Sequence, residues 1–242
     1  MAMPASIEAR YSPRVGALLN LAAHPAESRA PSGNAPIAWR SAGLDRLGST
    51  LAVRRDRVLL HLGDEAGHYH KVASGALRMV RVLADGRRHI VKFLMAGDFF
   101  GFSGSQTCAY AVEAIVDSTV VRYSRRGVEG LIDRDPVAGR RLLSLLFGEL
   151  SDAQERQLAL GRKTAVERVA SFLLQMADAC SCWRRDSFEL PMSRTDIADH
   201  LGMTCETVSR TMAQLRRAQV IDLPHVHHVT ILDRCALERH AN

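Results

Sequence analysis

Apolar positions along this chain follow three successive rhythms. Over residues 44–123 they alternate in short runs, as in "RVLLHL", "ALRMVRVL" and "HIVKFL", each closed by a glycine-containing break. A two-residue period puts alternate side chains on one face of a strand. Gly63-Asp64, Gly75 and Gly97-Asp98 mark tight turns at spacings suited to a small β-barrel or roll. Between two of the runs, Asp85-Gly86 is the strongest hairpin signal in the chain. It predicts a type I′ turn, because glycine adopts the positive φ such a turn needs.

At Asp135-Pro136 the rhythm lengthens. A proline is tolerated in the first helical turn, where its missing N–H has no partner to lose, so this pair reads as a helix start. Within "VAGRRLLSLLFGELSDAQERQLAL", Leu143, Leu146, Leu150, Ala153, Gln157 and Leu160 recur at alternating steps of three and four, the seam of a coiled coil. Two roles are open to this helix. It can pair with a second copy in a homodimer, or pack on the β segment through a wider face partly supplied by Leu142, Leu145 and Phe147. The length of the seam favours the dimer.

From Lys163 the pattern predicts three helices and a hairpin. "TAVERVASFLLQMADAC" is amphipathic, and "SRTDIADHLG" opens with Ser193 and Asp196 at capping-box spacing and stops at Gly202. "TCETVSRTMAQLRRAQ" follows after a few residues, which is the layout of a helix-turn-helix. "VIDLPHVHHVTIL" then gives two short β runs around Pro224-His225, the shape of a wing. The fold class expected is therefore α+β: an N-terminal β-roll, a long dimerisation helix and a C-terminal winged helix-turn-helix. The division reads as residues 1–40 a flexible extension rich in Ala, Pro and Ser, with a short helix around Val15 to Leu21, residues 41–134 the roll, 135–162 the dimerisation helix and 163–242 the winged helix.

The second helix of a helix-turn-helix enters the major groove with its N-terminal residues against base edges. Glu206, Ser209 and Arg210 stand at i, i+3 and i+4 and project from one face, while Val208, Met212 and Leu215 occupy the other. Arginine grips guanine O6 and N7 with two bonds, and a carboxylate accepts from cytosine N4 or adenine N6. A purely phosphate-binding helix would exclude Glu206, which repels the backbone. The plainer alternative is a solvent-side Glu206–Arg210 pair worth about 0.3–0.5 kcal/mol. Arg194, Thr204, Thr207, Arg216 and Arg217 are candidate phosphate contacts, with Arg216 and Arg217 also complementing the helix dipole. Net charge adds to this picture at +6, compatible with a polyanion partner. No membrane-length apolar stretch or signal-like N-terminus stands out, and an odd count of 5 cysteines argues against a secreted disulfide framework, so cytoplasmic location is expected.

"SRTDIADHLGMTCETVSRTMAQLRR" closely resembles the recognition unit of the Crp–Fnr transcription regulators, particularly the FixK/FnrN/AadR branch. "GRKTAVERVASFLL", "VIDLPHVHHVTILDRCAL" and the roll segment "SGALRMVRVLADGRRHIVKFLMAGDFFG" are similar to the same group, so the resemblance spans about residues 44–240. It implies a homodimeric regulator, mainly an activator, that binds a palindrome of TTGAT-type half-sites through Glu206, Ser209 and Arg210. It further implies recruitment of RNA polymerase. Two departures bear on cofactors. No cysteine precedes Cys108, so an N-terminal iron–sulfur cluster has no thiolates. Phe102 and Cys108-Ala109 stand where cyclic-nucleotide binders carry a glutamate and a phosphate-binding Arg-Ser or Arg-Thr pair, so no cyclic nucleotide is expected. The leading expectation is a regulator that needs no bound effector; gating by an unidentified small molecule in the roll is the alternative.

Remaining chemistry-bearing residues add little. Cys205 opens the recognition helix, where helix dipole and neighbouring arginines favour thiolate and oxidation would disturb base reading. Cys180-x-Cys182 lacks a second pair at zinc spacing. His68-x-His70 and the His225, His227, His228 group can each chelate in principle but have no third convergent ligand, so no metal is expected. A thiol enzyme or redox protein would need a base–nucleophile constellation or a C-x-x-C motif, and neither is found, so the chain is not expected to be an enzyme.

Overall fold

The computed structural model describes residues 44, 46–179 and 186–242. The extension over residues 1–40, with the helix expected near Val15 to Leu21, and the Cys180/Cys182 pair lie outside the described residues.

The alternating segment forms β1 (Gly48–Val53), β2 (Val58–Leu60), β3 (His68–Ser74), β4 (Ala76–Val82), β5 (Arg88–Met95), β6 (Phe99–Phe100), β7 (Ala111–Ala114) and β8 (Ser118–Ser124). They build two antiparallel sheets, ordered β1-β8-β3-β6 and β2-β7-β4-β5. Inward residues of both sheets, among them Val72, Leu77, Leu94, Phe100, Val112 and Val120, close the roll on itself. The Asp85-Gly86 hairpin forms, but not with a type I′ turn. Gly86 N donates to Leu83 O and Leu83 N to Arg87 O, with positive φ at Gly86 and not at Asp85. That is a type I turn closed by a left-handed glycine, the three-residue loop that bulges the β4–β5 ladder end.

α1 (Arg125–Arg134) was not anticipated. α2 (Pro136–Arg162) starts as expected, with Asp135 Oδ1 accepting from Val137 N and proline in the first turn. Leu142 and Leu145 pack with α1 and the roll around Tyr123 and Val128. Phe147 does not join them: it is 65% exposed, beside Leu143 and Leu150 at 53% and 55%. The exposed apolar stripe of α2 therefore runs through Phe147, at steps of four and three, more than through half-buried Leu146.

α3 (Ala165–Ala179) begins at a reciprocal cap, Glu167 N to Thr164 Oγ1 and Thr164 N to Glu167 Oε2. β9 (Ser187–Glu189), α4 (Arg194–Leu201), α5 (Cys205–Arg217), β10 (Ile221–His225), β11 (His228–Ile231) and α6 (Arg234–Ala241) complete the chain. The wing is a sheet ordered β10-β11-β9, one strand wider than expected. Hydrophobic residues of α3, α4, α5 and the wing form one core that continues into Ala76, Val80, Ile90 and Phe93 of the roll.

Charge fastens this junction. Asp196 accepts from Arg78 at 3.1 Å and Arg88 at 2.7 Å, and Arg88 also reaches Asp199. His200 Nδ1 donates to Ile90 O at 2.8 Å. The β4–β5 hairpin is thus tied along α4, which fixes where the helix-turn-helix sits. Burial raises the Asp196 carboxyl, but bonds from Ser193 and the Arg78 and Arg88 charges outweigh it and hold it below the ordinary value.

Candidate nucleic-acid interface

The two helices of the motif are shaped by local chemistry. Ser193 and Asp196 exchange the side-chain and backbone bonds of a capping box at the start of α4. Gly202, at φ 65°, ends it in the left-handed conformation that a β-carbon would strain. After one short turn, Thr204 caps α5 by accepting from Thr207 N, and its hydroxyl bonds that of Thr207 at 2.9 Å. Val208, Thr211, Met212 and Leu215 are buried, which leaves the opposite face of α5 no freedom but to point outward.

That outward face carries Glu206, Ser209 and Arg210, all exposed. The sequence left open a Glu206–Arg210 salt bridge. None forms within 4.0 Å among the described residues, so both charged groups are available to a ligand. Arg216 and Arg217 are exposed at the basic last turn, and Thr204 is exposed at the N-cap. Arg194 has a more structural position than expected: Nη2 donates to Val226 O at 3.1 Å and Nη1 lies on Met212 Sδ. It ties the wing to α5, and burial pulls its guanidinium below the ordinary value. Ser209, Arg216, His225 and Val226 line a cleft of about 840 Å³ between α5 and the wing. Val226 is 71% exposed between the two wing strands β10 and β11.

The histidine groups have separate structural partners. His227 Nδ1 bonds Leu190 O and His228 Nε2 bonds Ser187 Oγ, while His70 stacks on Phe100 at 5.0 Å. Burial, then the charges of His68 and Arg122, push His70 down to about 4, so it is neutral near pH 7. No group of three His, Cys, Asp or Glu side chains is placed to hold a metal among the described residues. Cys205 is exposed at the first residue of α5.

The roll interior bears on the effector question. The cavity beside His68, His70, Cys108 and Arg122 has a volume of about 90 Å³. At roughly 30 Å³ per water it holds about three waters, far less than a nucleotide. Arg125, whose guanidinium reaches the Phe102–Ala109 segment at Ser103 O, is occupied there and by Tyr69 Oη and the carbonyl of Ala66. The residues present do not fit a cyclic nucleotide.

Comparison with known proteins agrees with this architecture. Residues 167–240 match the Crp-like helix-turn-helix domain, and residues 50–135 match the cyclic nucleotide-binding domain family. The nitrogen fixation regulation protein FixK of Azorhizobium caulinodans is 38% identical over 196 residues, covering 80% of this chain and 79% of the relative. The transcriptional activator protein FnrL of Cereibacter sphaeroides is 39% identical over 177 residues, 71% of each chain. The structure of FixK2 from Bradyrhizobium japonicum superposes with a TM-score of 0.76 at 35% identity, covering 81% of this chain and 98% of that one. With a roll, a long helix and an exposed recognition helix in the same order, the chain belongs to the Crp/Fnr family of transcription regulators, on its FixK-like branch.

Proposed function

We propose that the protein is a sequence-specific activator that binds, as a homodimer, a palindrome of TTGAT-type half-sites and recruits RNA polymerase in the cytoplasm, and that it needs no bound effector to do so. The observation that carries this reading is the outward row Glu206, Ser209 and Arg210, exposed and without an internal ion pair, on a helix whose other face is locked into the core. Arg210 takes guanine by two bonds and Glu206 takes the amino group of a neighbouring base, each contact worth about 1–3 kcal/mol against a wrong base. Thr204, Thr207, Arg216 and Arg217 supply phosphate contacts that fix register, and Arg194 holds the wing against α5. The apolar stripe of Leu143, Phe147 and Leu150, with Ala153, Gln157 and Leu160 beyond it, is the surface for the second copy. The small roll cavity supports independence from a nucleotide.

A second reading, loss of DNA affinity on oxidation, is favoured by the exposed position of Cys205 beside Glu206. Fluorescence anisotropy with reduced, ligand-free protein tests the first reading. Tight binding to the TTGAT palindrome, at least a hundredfold over a scrambled duplex at equal salt, is expected. Equal affinity for both duplexes would refute it.

A further inference from the structure

A cavity of about 300 Å³ lies where the roll, the long helix and the helix-turn-helix meet, away from the DNA-reading face. Val91 of β5, Arg156 and Leu160 of α2, Arg168 and Phe172 of α3 and His200 of α4 all contribute to its wall. Apart from Leu201 the remaining lining is small or polar, and no carboxylate is among it. The two guanidiniums are in different states. Arg168 is saturated by the carbonyls of Lys163, Leu201 and Leu160. Arg156 Nη1 is buried with no hydrogen-bond partner among the described residues.

Buried donors are nearly always satisfied in native proteins, so a buried, unpaired cationic N–H facing a cavity of this size points to an occupant. Asp152, one turn back on α2, is near enough for its charge to feel Arg156, but no ion pair within 4.0 Å joins the two, and Lys92 is paired with Glu149. Walls that are mostly apolar by area, with a few convergent polar groups, are the usual make-up of a small-molecule site. At roughly 30 Å³ per water-sized group, the space suits a molecule of about ten non-hydrogen atoms.

We propose that this cavity binds a small organic monocarboxylate, its carboxylate paired with Arg156 and its apolar body against Val91, Leu160 and Phe172, and that occupancy changes operator affinity. The binding step stands apart from the reading under Proposed function; the regulatory step rests on it. Coupling follows from position. The ligand contacts the roll, the long helix and two helices of the DNA-binding part at once, so any arrangement of these parts that DNA favours changes the ligand's contacts, and the ligand reciprocally changes the affinity for DNA. Ala153, Gln157 and Leu160 belong both to this wall and to the seam facing the second copy, so side chains of that copy are the competing occupant.

Calorimetry on the full chain, with octanoate and phenylacetate as aliphatic and aromatic probes and their primary amides as neutral controls, tests binding. Saturable binding of one acid per chain is expected, at least tenfold tighter than the matching amide. Arg156→Gln should weaken the acid tenfold or more while leaving the amide unchanged. Ala159→Phe, which fills the space without touching the charge, should abolish binding of both, with the circular dichroism and oligomeric state of each variant as wild type. No saturable heat into the millimolar range, equal binding of acid and amide, or full affinity in Arg156→Gln would overturn the site. In the DNA arm, a change of fivefold or more in operator dissociation constant at saturating acid is expected. An unchanged constant beside saturable calorimetric binding would overturn the regulatory step. A protein that binds acid but no operator would instead refute the DNA-binding reading.

Discussion

His200 should make folding stability depend on pH between 7 and 5, and the size of the effect follows from its surroundings. The imidazole is buried at the junction, Nδ1 donating to Ile90 O, with Phe93 and Phe172 rings 5.1 and 6.0 Å away. Burial lowers it to about 4 from 6.5; the Ile90 bond opposes the shift, and the charges of Arg156 and His89 reinforce it. At pH 5 the unfolded chain holds this proton and the folded chain does not. Stability is therefore full above 6.5 and is lost as pH falls through 6.5 toward 4. At ~1.36 kcal/mol per pH unit, the loss is about 2 kcal/mol by pH 5. His70, also lowered to about 4, adds a similar amount. Urea unfolding at fixed protein concentration should show wild type losing about 4 kcal/mol between pH 7 and 5. His200→Asn keeps a donor for Ile90 O but cannot titrate, and it should lose about 2 kcal/mol over the same range. Comparing each protein with itself cancels the packing defect of the smaller side chain. Equal losses in both proteins would show that His200 is not held neutral at the junction.

Asp196→Ala removes a carboxylate only 5% exposed, leaves Arg78 without one partner and opens the α4 cap, so it should destabilise by about 3 kcal/mol or more in the same assay; a loss under 1 kcal/mol would refute the tie between roll and helix-turn-helix. Leu150→Glu, in the exposed stripe of α2, should give a monomer by light scattering with operator affinity lost, and a dimer that survives it would move the interface elsewhere. Peroxide should abolish operator binding by wild type and spare Cys205→Ser; equal sensitivity would discard the oxidation reading.

What the sequence disclosed and what it hid differ in range. Ser193, Asp196 and Gly202 act on backbone within three residues of themselves, so the helix-turn-helix was legible directly, while the cap made by Thr204, read only as a phosphate contact, was not. The buried set Val208, Met212 and Leu215 followed from helical period alone. α1 was missed because Gly127 and Gly130 lower helix propensity, and its apolar residues are drawn in by packing with α2. α6 and β9 are too short for periodicity to mark. The turn at Asp85-Gly86 was placed but mistyped, since one glycine fits both the two- and three-residue loops. Phe147 was assigned to the roll side by hydrophobicity, but its direction depends on helix phase against α1, which no local rule supplies. The ties of Arg78 and Arg88 to Asp196 span more than a hundred residues and leave no local trace. The Arg156 cavity, formed by four separate elements, is legible only in the folded chain.

The row on α5 is the claim from which the functional account descends, and Arg210→Ala tests it most directly. Dissociation constants are measured by anisotropy at one salt concentration, for the palindrome and for the same duplex with the guanine of both half-sites replaced. Wild type should prefer the intact site by about 1–3 kcal/mol per half-site. In Arg210→Ala this preference should collapse toward none, with affinity for the substituted duplex little changed. If the variant instead lost affinity equally on both duplexes and kept the preference, with a salt slope about one unit lower, Arg210 would be a phosphate contact and the base-reading assignment would be wrong.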